Sequence, residues 1–251
     1  MNFTLNSQRH IWTIAKRELI GFFASPVAYV FVVVFLLLSG FFTFMIGGFF
    51  ERGQAGLEPF FVWHPWLYLF LVPAMGMRMW SEERRMGTIE LLLTFPITPW
   101  QAIAGKFFAA WTVIGLALLL TFPLVITVNY LGSPDNGVIT ASYIGSFLMA
   151  GAYLAVASMT SAMTRNQVVS FIVSVVACLF LILAGWPPVT NLLSSWASPV
   201  VVDAIASFSV MAHFDAIQKG VLDTRDLLYF VSVIVFCLFT TSVIIRAHRA
   251  G

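Results

Sequence analysis

Charge is scarce in this chain. Only 10% of its 251 residues are charged, while 60% are hydrophobic and 16% aromatic. Soluble domains carry roughly 25% charged residues, so a chain of mean hydropathy +0.92 is excluded from that class and reads as a multi-pass membrane protein. Cysteine is nearly absent too. Cys178 and Cys237 both fall inside apolar runs, where they read as small apolar residues rather than as a disulfide. The chain also lacks a phosphate-binding loop: Gly105-Lys106 is followed by Phe107 and has no upstream glycine at the required spacing, so it cannot hydrolyse a nucleotide by that route. No repeat at a fixed period is present.

Six long runs are almost free of charge, near residues 27–50, 60–79, 107–130, 143–163, 167–186 and 227–245. About 20 mostly apolar residues cross a bilayer as a helix. The strict alternation of barrel strands is missing, so these runs are expected to be helices that satisfy their own backbone groups. None carries Asp, Glu, Lys or Arg in its core, which argues against an ion pathway or a proton-coupled carrier. His64, in Trp63-His64-Pro65-Trp66, has no second ligand or base at useful spacing and reads as an interfacial or structural residue. Catalytic and metal-binding residues are therefore expected to be absent, and nucleic acid is not an expected partner.

The first nine residues are polar and the first apolar run is too long for a signal peptide, so no cleavable leader is expected. Even-numbered spans put both termini on one side. That side holds Arg9, Lys16, Arg17, Arg78, Arg84, Arg85, Lys106, Arg165, Arg246 and Arg249, against only Arg52, Lys219 and Arg225 opposite. The basic excess makes the termini cytoplasmic.

The one dense charge cluster between apolar runs is Ser81 to Pro96. There Glu82, Glu83, Arg84, Arg85 and Glu90 sit beside Ile89, Leu91, Leu92 and Leu93, which suggests a short amphipathic helix on the cytoplasmic face. Gly87 permits close backbone approach, and Thr88 is placed to cap a helix whose early Glu90 the dipole favours. Residues 10–24 mix Ile11, Ile14, Leu19 and Phe22 with Lys16, Arg17 and Glu18. They suit an interfacial helix, either a basic anchor or a docking element, ended by Ser25-Pro26. Small residues Ser142, Ser146, Ala150, Gly151 and Ala155 recur at helical spacing in the fourth run and predict close helix packing. Between Trp186 and Asp226, prolines 187, 188 and 199 interrupt two pieces, 189–197 and 200–218, expected to be short external helices. Gly220 suits a helix end and Asp226 the start of the last span.

These residues resemble those of an ABC transporter permease of the type 2 exporter class, and more narrowly a GldF-like, gliding-motility-type permease. The resemblance rests on Ala15-Lys16-Arg17-Glu18 through Ser25-Pro26, on Glu83-x-x-x-Gly87-Thr88-x-Glu90-x-Leu92, on Thr164 to Val169, and on His213-Phe214 followed by Gly220, Asp223 and Tyr229-Phe230. The Leu-Thr-x-Pro spacing is partly kept as Leu93-Thr94-Phe95-Pro96.

The resemblance implies one all-α integral membrane domain over residues 1–251, with six transmembrane helices. A cytoplasmic connecting helix would span 10–24, a coupling-helix loop 81–98, and external helices 187–219 before the last span. Lys16, Arg17, Glu18, Glu83, Arg84, Gly87, Thr88, Glu90 and Leu92 would dock a cytoplasmic ABC ATPase present in two copies, which would bind ATP and Mg; this chain would hold no cofactor. His213 and Phe214 would shape an external gate or simply pack. A second permease half, identical or related, would complete the assembly in the bacterial inner membrane, with a possible auxiliary membrane protein bearing a large periplasmic domain. The implied function is ATP-driven transport of the export type, or alternatively non-transporting mechanotransmission to an envelope partner.

Overall fold

The computed structural model describes residues 2–88 and 98–247, with side chains from Arg9 onward, and every regular element among them is helical. Helix α1 (Asn2–Ala24) stops where Ser25 takes an extended conformation (φ −106°, ψ 156°), and α2 (Pro26–Phe41) starts with proline in its first turn. Proline lacks the N–H that the first turn would leave unsatisfied, so the Ser25-Pro26 break separates the two helices cleanly. A π-helical turn, Phe42–Ile46, extends α2. Then come α3 (Glu58–Phe61), α4 (His64–Gly76) and α5 (Ser81–Met86), which together form one long apolar stretch.

Helix α6 (Pro99–Leu119) opens with a full capping box between Thr98 and Gln101, and breaks at Leu120–Thr121 before α7 (Phe122–Leu131). Asp135 caps α8 (Asn136–Met163) through the backbone N–H groups of Gly137 and Val138, and Asn166 caps α9 (Gln167–Leu183) in the same way. Three short helices come next, α10 (Pro187–Ser194), α11 (Pro199–Ala206) and α12 (Val210–Gln218), and α13 (Thr224–Ala247) ends the described chain.

Five stretches are long and apolar enough to cross a membrane unaided: Pro26–Ile46, Glu58–Met86, Pro99–Leu131, Asn136–Met163 and Thr224–Ala247. Helix α9 has 17 residues and joins α10 across a 67° bend, while α11 and α12 form a second bent pair at 69°. The candidate spans thus number five to seven among the described residues. The region read from sequence as two pieces is three helices, because 200–218 divides at Ser207–Ser209. Ser209 Oγ accepts from the N–H groups of Met211 and Ala212 at 3.2 and 3.3 Å, so it restarts the helix there.

Helix α8 is the packing centre and touches α4, α5, α6, α9, α12 and α13. The small-residue stripe explains this: Ser142, Ser146, Ala150 and Ala155 are buried, and small side chains let helix axes approach. Helix α9 turns back from Met163 and runs antiparallel to α8, with Thr160 hydrogen-bonded to Ser174. Helix α13 starts beside α12, where Asp226 meets His213, and further along places Ile234 against Gly151 of α8. Since Ile217 of α12 rests on Gly145 of α8, α13 runs parallel to α8.

His64, read from sequence as an interfacial or structural residue without an evident partner, is fully buried, which fits the structural alternative. Its Nδ1 lies 2.8 Å from Ser146 Oγ, and Tyr68 Oη lies 2.9 Å from the same oxygen. Phe35, Phe60, Phe61 and Tyr68 surround the ring. This polar pin ties α4 to α8 in a dry setting, where a lost partner leaves an unsatisfied group costing about 1–3 kcal/mol. Ser146→Ala should therefore lower the thermal midpoint of the detergent-solubilised protein by several degrees, and Tyr68→Phe added to it should cost little more. An unchanged midpoint in Ser146→Ala would show that the pin contributes nothing.

Candidate functional site

The charges that sequence reading placed in two separate segments meet in space. Lys106 of α6, 8% exposed, reaches Glu83 of α5 at 2.9 Å and Glu18 of α1 at 3.3 Å. Arg17 adds a 2.9 Å pair to Glu18, and the Lys106 ammonium lies 5.4 Å from the Trp80 ring centroid. One buried cation therefore joins three elements that are far apart in sequence. Charges out of water require partners, so the three segments are held together as a unit.

The close seating of α1 depends on Gly105. A Cβ there would lie 2.7 Å from Ile14 Cγ2 and 3.2 Å from the Ile11 carbonyl oxygen, so any side chain would push α1 off α6. On its other side α5 is fastened to α8. Ser161 Oγ accepts from the backbone N–H of both Trp80 and Ser81 at 3.0 Å and donates to the Met77 carbonyl at 2.9 Å. Trp80 Nε1 donates to Ser158 Oγ at 3.1 Å, and the Arg84 guanidinium donates to the Ala162 carbonyl. Gly87 closes α5 in the left-handed region at φ +70°, where only glycine is unstrained. Thr88 donates to the Glu83 carbonyl at 3.4 Å and is itself helical again just past the Gly87 turn.

The sequence-derived residues fall into three groups. Glu18, Glu83, Arg84, Gly87 and Thr88 build this junction, while Lys16 and Arg17 lie exposed on α1 beside it. Glu90 and Leu92 lie outside the described residues. His213 and Phe214 sit at the opposite end. His213 Nδ1 is 2.6 Å from Asp226 Oδ1 and its Nε2 is 3.1 Å from the Ser207 carbonyl oxygen, with the ring stacked on Tyr229 at 4.1 Å. Tyr229 Oη donates to the Phe208 carbonyl at 2.6 Å. These contacts hold the bend between α11 and α12 against α13, and Phe214 is fully buried beneath.

Sequence reading placed Lys106 in a loop leading to the third span. It lies inside α6, two turns from the Thr98 cap, and it is the hub. A lone lysine within an apolar helical run, next to a glycine, was the available signal. Ser158 and Ser161 were not legible, because serines in a small-residue stripe carry no mark of their partners.

A chain of closely packed apolar helices, with a charged junction at one end and short bent helices at the other, defines a multi-pass membrane protein. Residues 67–245 match the family model described as ABC-2 family transporter protein, and the chain belongs to that family. It is accordingly a permease subunit of an ABC transporter, a class that works with an ATPase subunit. A search of curated proteins finds no match to this chain.

Burial pushes the Glu18 carboxyl up, but Lys106 and then Arg17 pull it down further, so it ends below its ordinary 4.5. A carboxylate lowered on folding adds stability that is present above the unfolded value and lost as pH falls through the folded one. The midpoint difference between wild type and Glu18→Gln should hold from pH 8 to about 5 and shrink below about 4.5. Lys106→Ala leaves Glu83 without this cation and Glu18 with Arg17 alone and should cost about 3 kcal/mol, more than Lys106→Met, which keeps the packed apolar stem, in a chemical-denaturation series. Equal midpoints for wild type and Lys106→Ala would remove the junction from the structural argument.

Proposed function

We propose that the α1–α5–α6 junction is where a cytoplasmic ABC ATPase engages this permease and passes nucleotide-driven motion to the spans. The observation that carries the reading is the buried Lys106 held between Glu18 and Glu83. A push on α1 or α5 is transmitted through this ion cluster to α6, and through Ser161 to α8, without a soft link between them. By resemblance, the assembly is a GldF-like, export-type transporter: two ATPase copies bind ATP and Mg, and a second permease half completes the pathway. In this reading Lys16, Arg17, Glu18, Glu83, Arg84, Gly87 and Thr88, with Glu90 and Leu92 of the adjoining segment, form the docking surface.

Six crossings fit the packing best. Helix α13 runs parallel to α8, so an odd number of crossings separates them, and α9 supplies one. The pair α11–α12 carries Asp203 and Asp215 and lies at the far end as a bent cap. The basic residues gather at the junction end, which supports cytoplasmic termini in the bacterial inner membrane. The cap, latched by His213 and Asp226, would then close the exit on the outer side or contact an auxiliary membrane protein.

The test is co-purification of an ATPase subunit with the solubilised chain, comparing wild type with Glu83→Lys and Gly87→Trp. The wild type should bring down an ATPase and both variants should lose it, with unchanged size-exclusion profiles. Retention of the ATPase by both folded variants would place docking elsewhere.

A further inference from the structure

Two cavities meet at the end of the second span, and the first borders the junction. The first, about 420 Å³, lies between α1 and α5 and is lined by Glu18, Arg78, Glu82, Glu83 and Lys106 on its polar side. The second, about 460 Å³, is an apolar groove between α2 and α4, lined by Val30, Phe31, Val34, Leu71 and Ala74. Both share Ser25, Val27, Met75 and Arg78. Their volumes fall within the range of ligand sites, roughly 300–1,000 Å³.

The groove follows facing stripes on its two helices, residues 27, 30 and 34 on α2 and 71, 74 and 78 on α4 and its C-terminal extension. Seven residues of helix rise about 10 Å, roughly two thirds of one leaflet's hydrocarbon depth of about 15 Å. Val30 is 58% exposed, so the groove opens sideways toward lipid. Its mouth lies where α2 begins and the second span ends, beside the interfacial helix α1.

The charges at the mouth differ from those at the junction. Lys106 is committed to Glu18 and Glu83. Arg78 is exposed and Glu82 half-buried, and among the described residues neither has an ion-pair partner. One free guanidinium and one free carboxylate on the same cavity wall form a dipolar pair of recognition groups. A guanidinium suits a phosphate, and a carboxylate accepts from an ammonium.

We infer that this double cavity is a binding site for a membrane phospholipid with a zwitterionic, primary-amine headgroup. Its phosphate pairs with Arg78, its ammonium donates to Glu82, and one acyl chain lies in the α2–α4 groove. An anionic headgroup without an amine would leave Glu82 unpaired beside added negative charge. A trimethylated amine has no N–H to donate. The lipid thus wedges between α1 and the second span, next to the junction, so the headgroup composition of that leaflet bears on how firmly α1 is seated.

The test is native mass spectrometry of the full chain in detergent, titrated separately with phosphatidylethanolamine, phosphatidylcholine and phosphatidylglycerol of matched acyl chains. Wild type should retain the ethanolamine lipid about fivefold better than the other two, the size expected of one interfacial charge contact. Arg78→Ala should lower retention of all three, with Arg78→Lys restoring most of it. Glu82→Gln should keep binding and erase the preference for the amine. Ala74→Phe, which fills the groove with both charges intact, should lower retention as well. Equal retention of the three lipids by wild type, or undiminished retention by Arg78→Ala, would overturn the assignment. No ATPase is needed, so the docking reading stands or falls separately.

Discussion

The Lys106 ion cluster is the constraint on which the junction end depends. A lysine whose side chain is only 8% exposed cannot hold its charge there alone, because its desolvation is repaid only by close, well-directed anions. Glu18 and Glu83 supply them, and in doing so they fix α1 and α5 relative to α6. Apolar contact alone would not specify this arrangement: in a membrane the alternative neighbour of a side chain is lipid, which is as apolar as leucine. A buried charge with two carboxylates tolerates few geometries, so it sets register where hydrophobic packing would leave it loose.

Helix α8 plays the complementary part. Its small residues admit its neighbours to close range, and its few hydroxyls become the polar anchors of the bundle. Ser146 serves His64 and Tyr68 in the middle, and Ser158 and Ser161 serve the end of the second span. Each hydroxyl answers a group that would otherwise be buried without a partner. The junction is thereby continuous with the core: α5 is bonded to α8 on one side and ion-paired to α6 on the other.

The two ends differ in build, and the difference suits their proposed tasks. The junction end is charged and tied by short contacts into the spans. The far end is a set of short helices, of which α10 and α11 bury no residue. Those helices are restrained by a few contacts at their bend, chiefly His213 on Asp226 and Tyr229 on the Phe208 carbonyl. Few buried contacts make for a low cost of local opening. Such an element can move while the bundle stays packed.

Composition and pattern determined a good deal by themselves. Long uncharged runs require membrane helices, because unsatisfied backbone groups are not tolerated in lipid. Ser25-Pro26 and Gly220 marked boundaries that the helices respect, since capping and proline effects are local. The two charged segments that build the junction were also legible, as was the small-residue face of α8. Other features belong to tertiary structure alone. Lys106 is a hub only because Gly105 lets α1 approach α6 and brings Glu18 within reach. His64 has a partner only because α8 delivers Ser146 across 82 residues of chain. The division of 200–218 at Ser207–Ser209 comes from a serine cap, and the bend is held by contacts from α13. Burial and pairing are relations between distant segments, and a linear pattern carries the capacity for them without naming the partner.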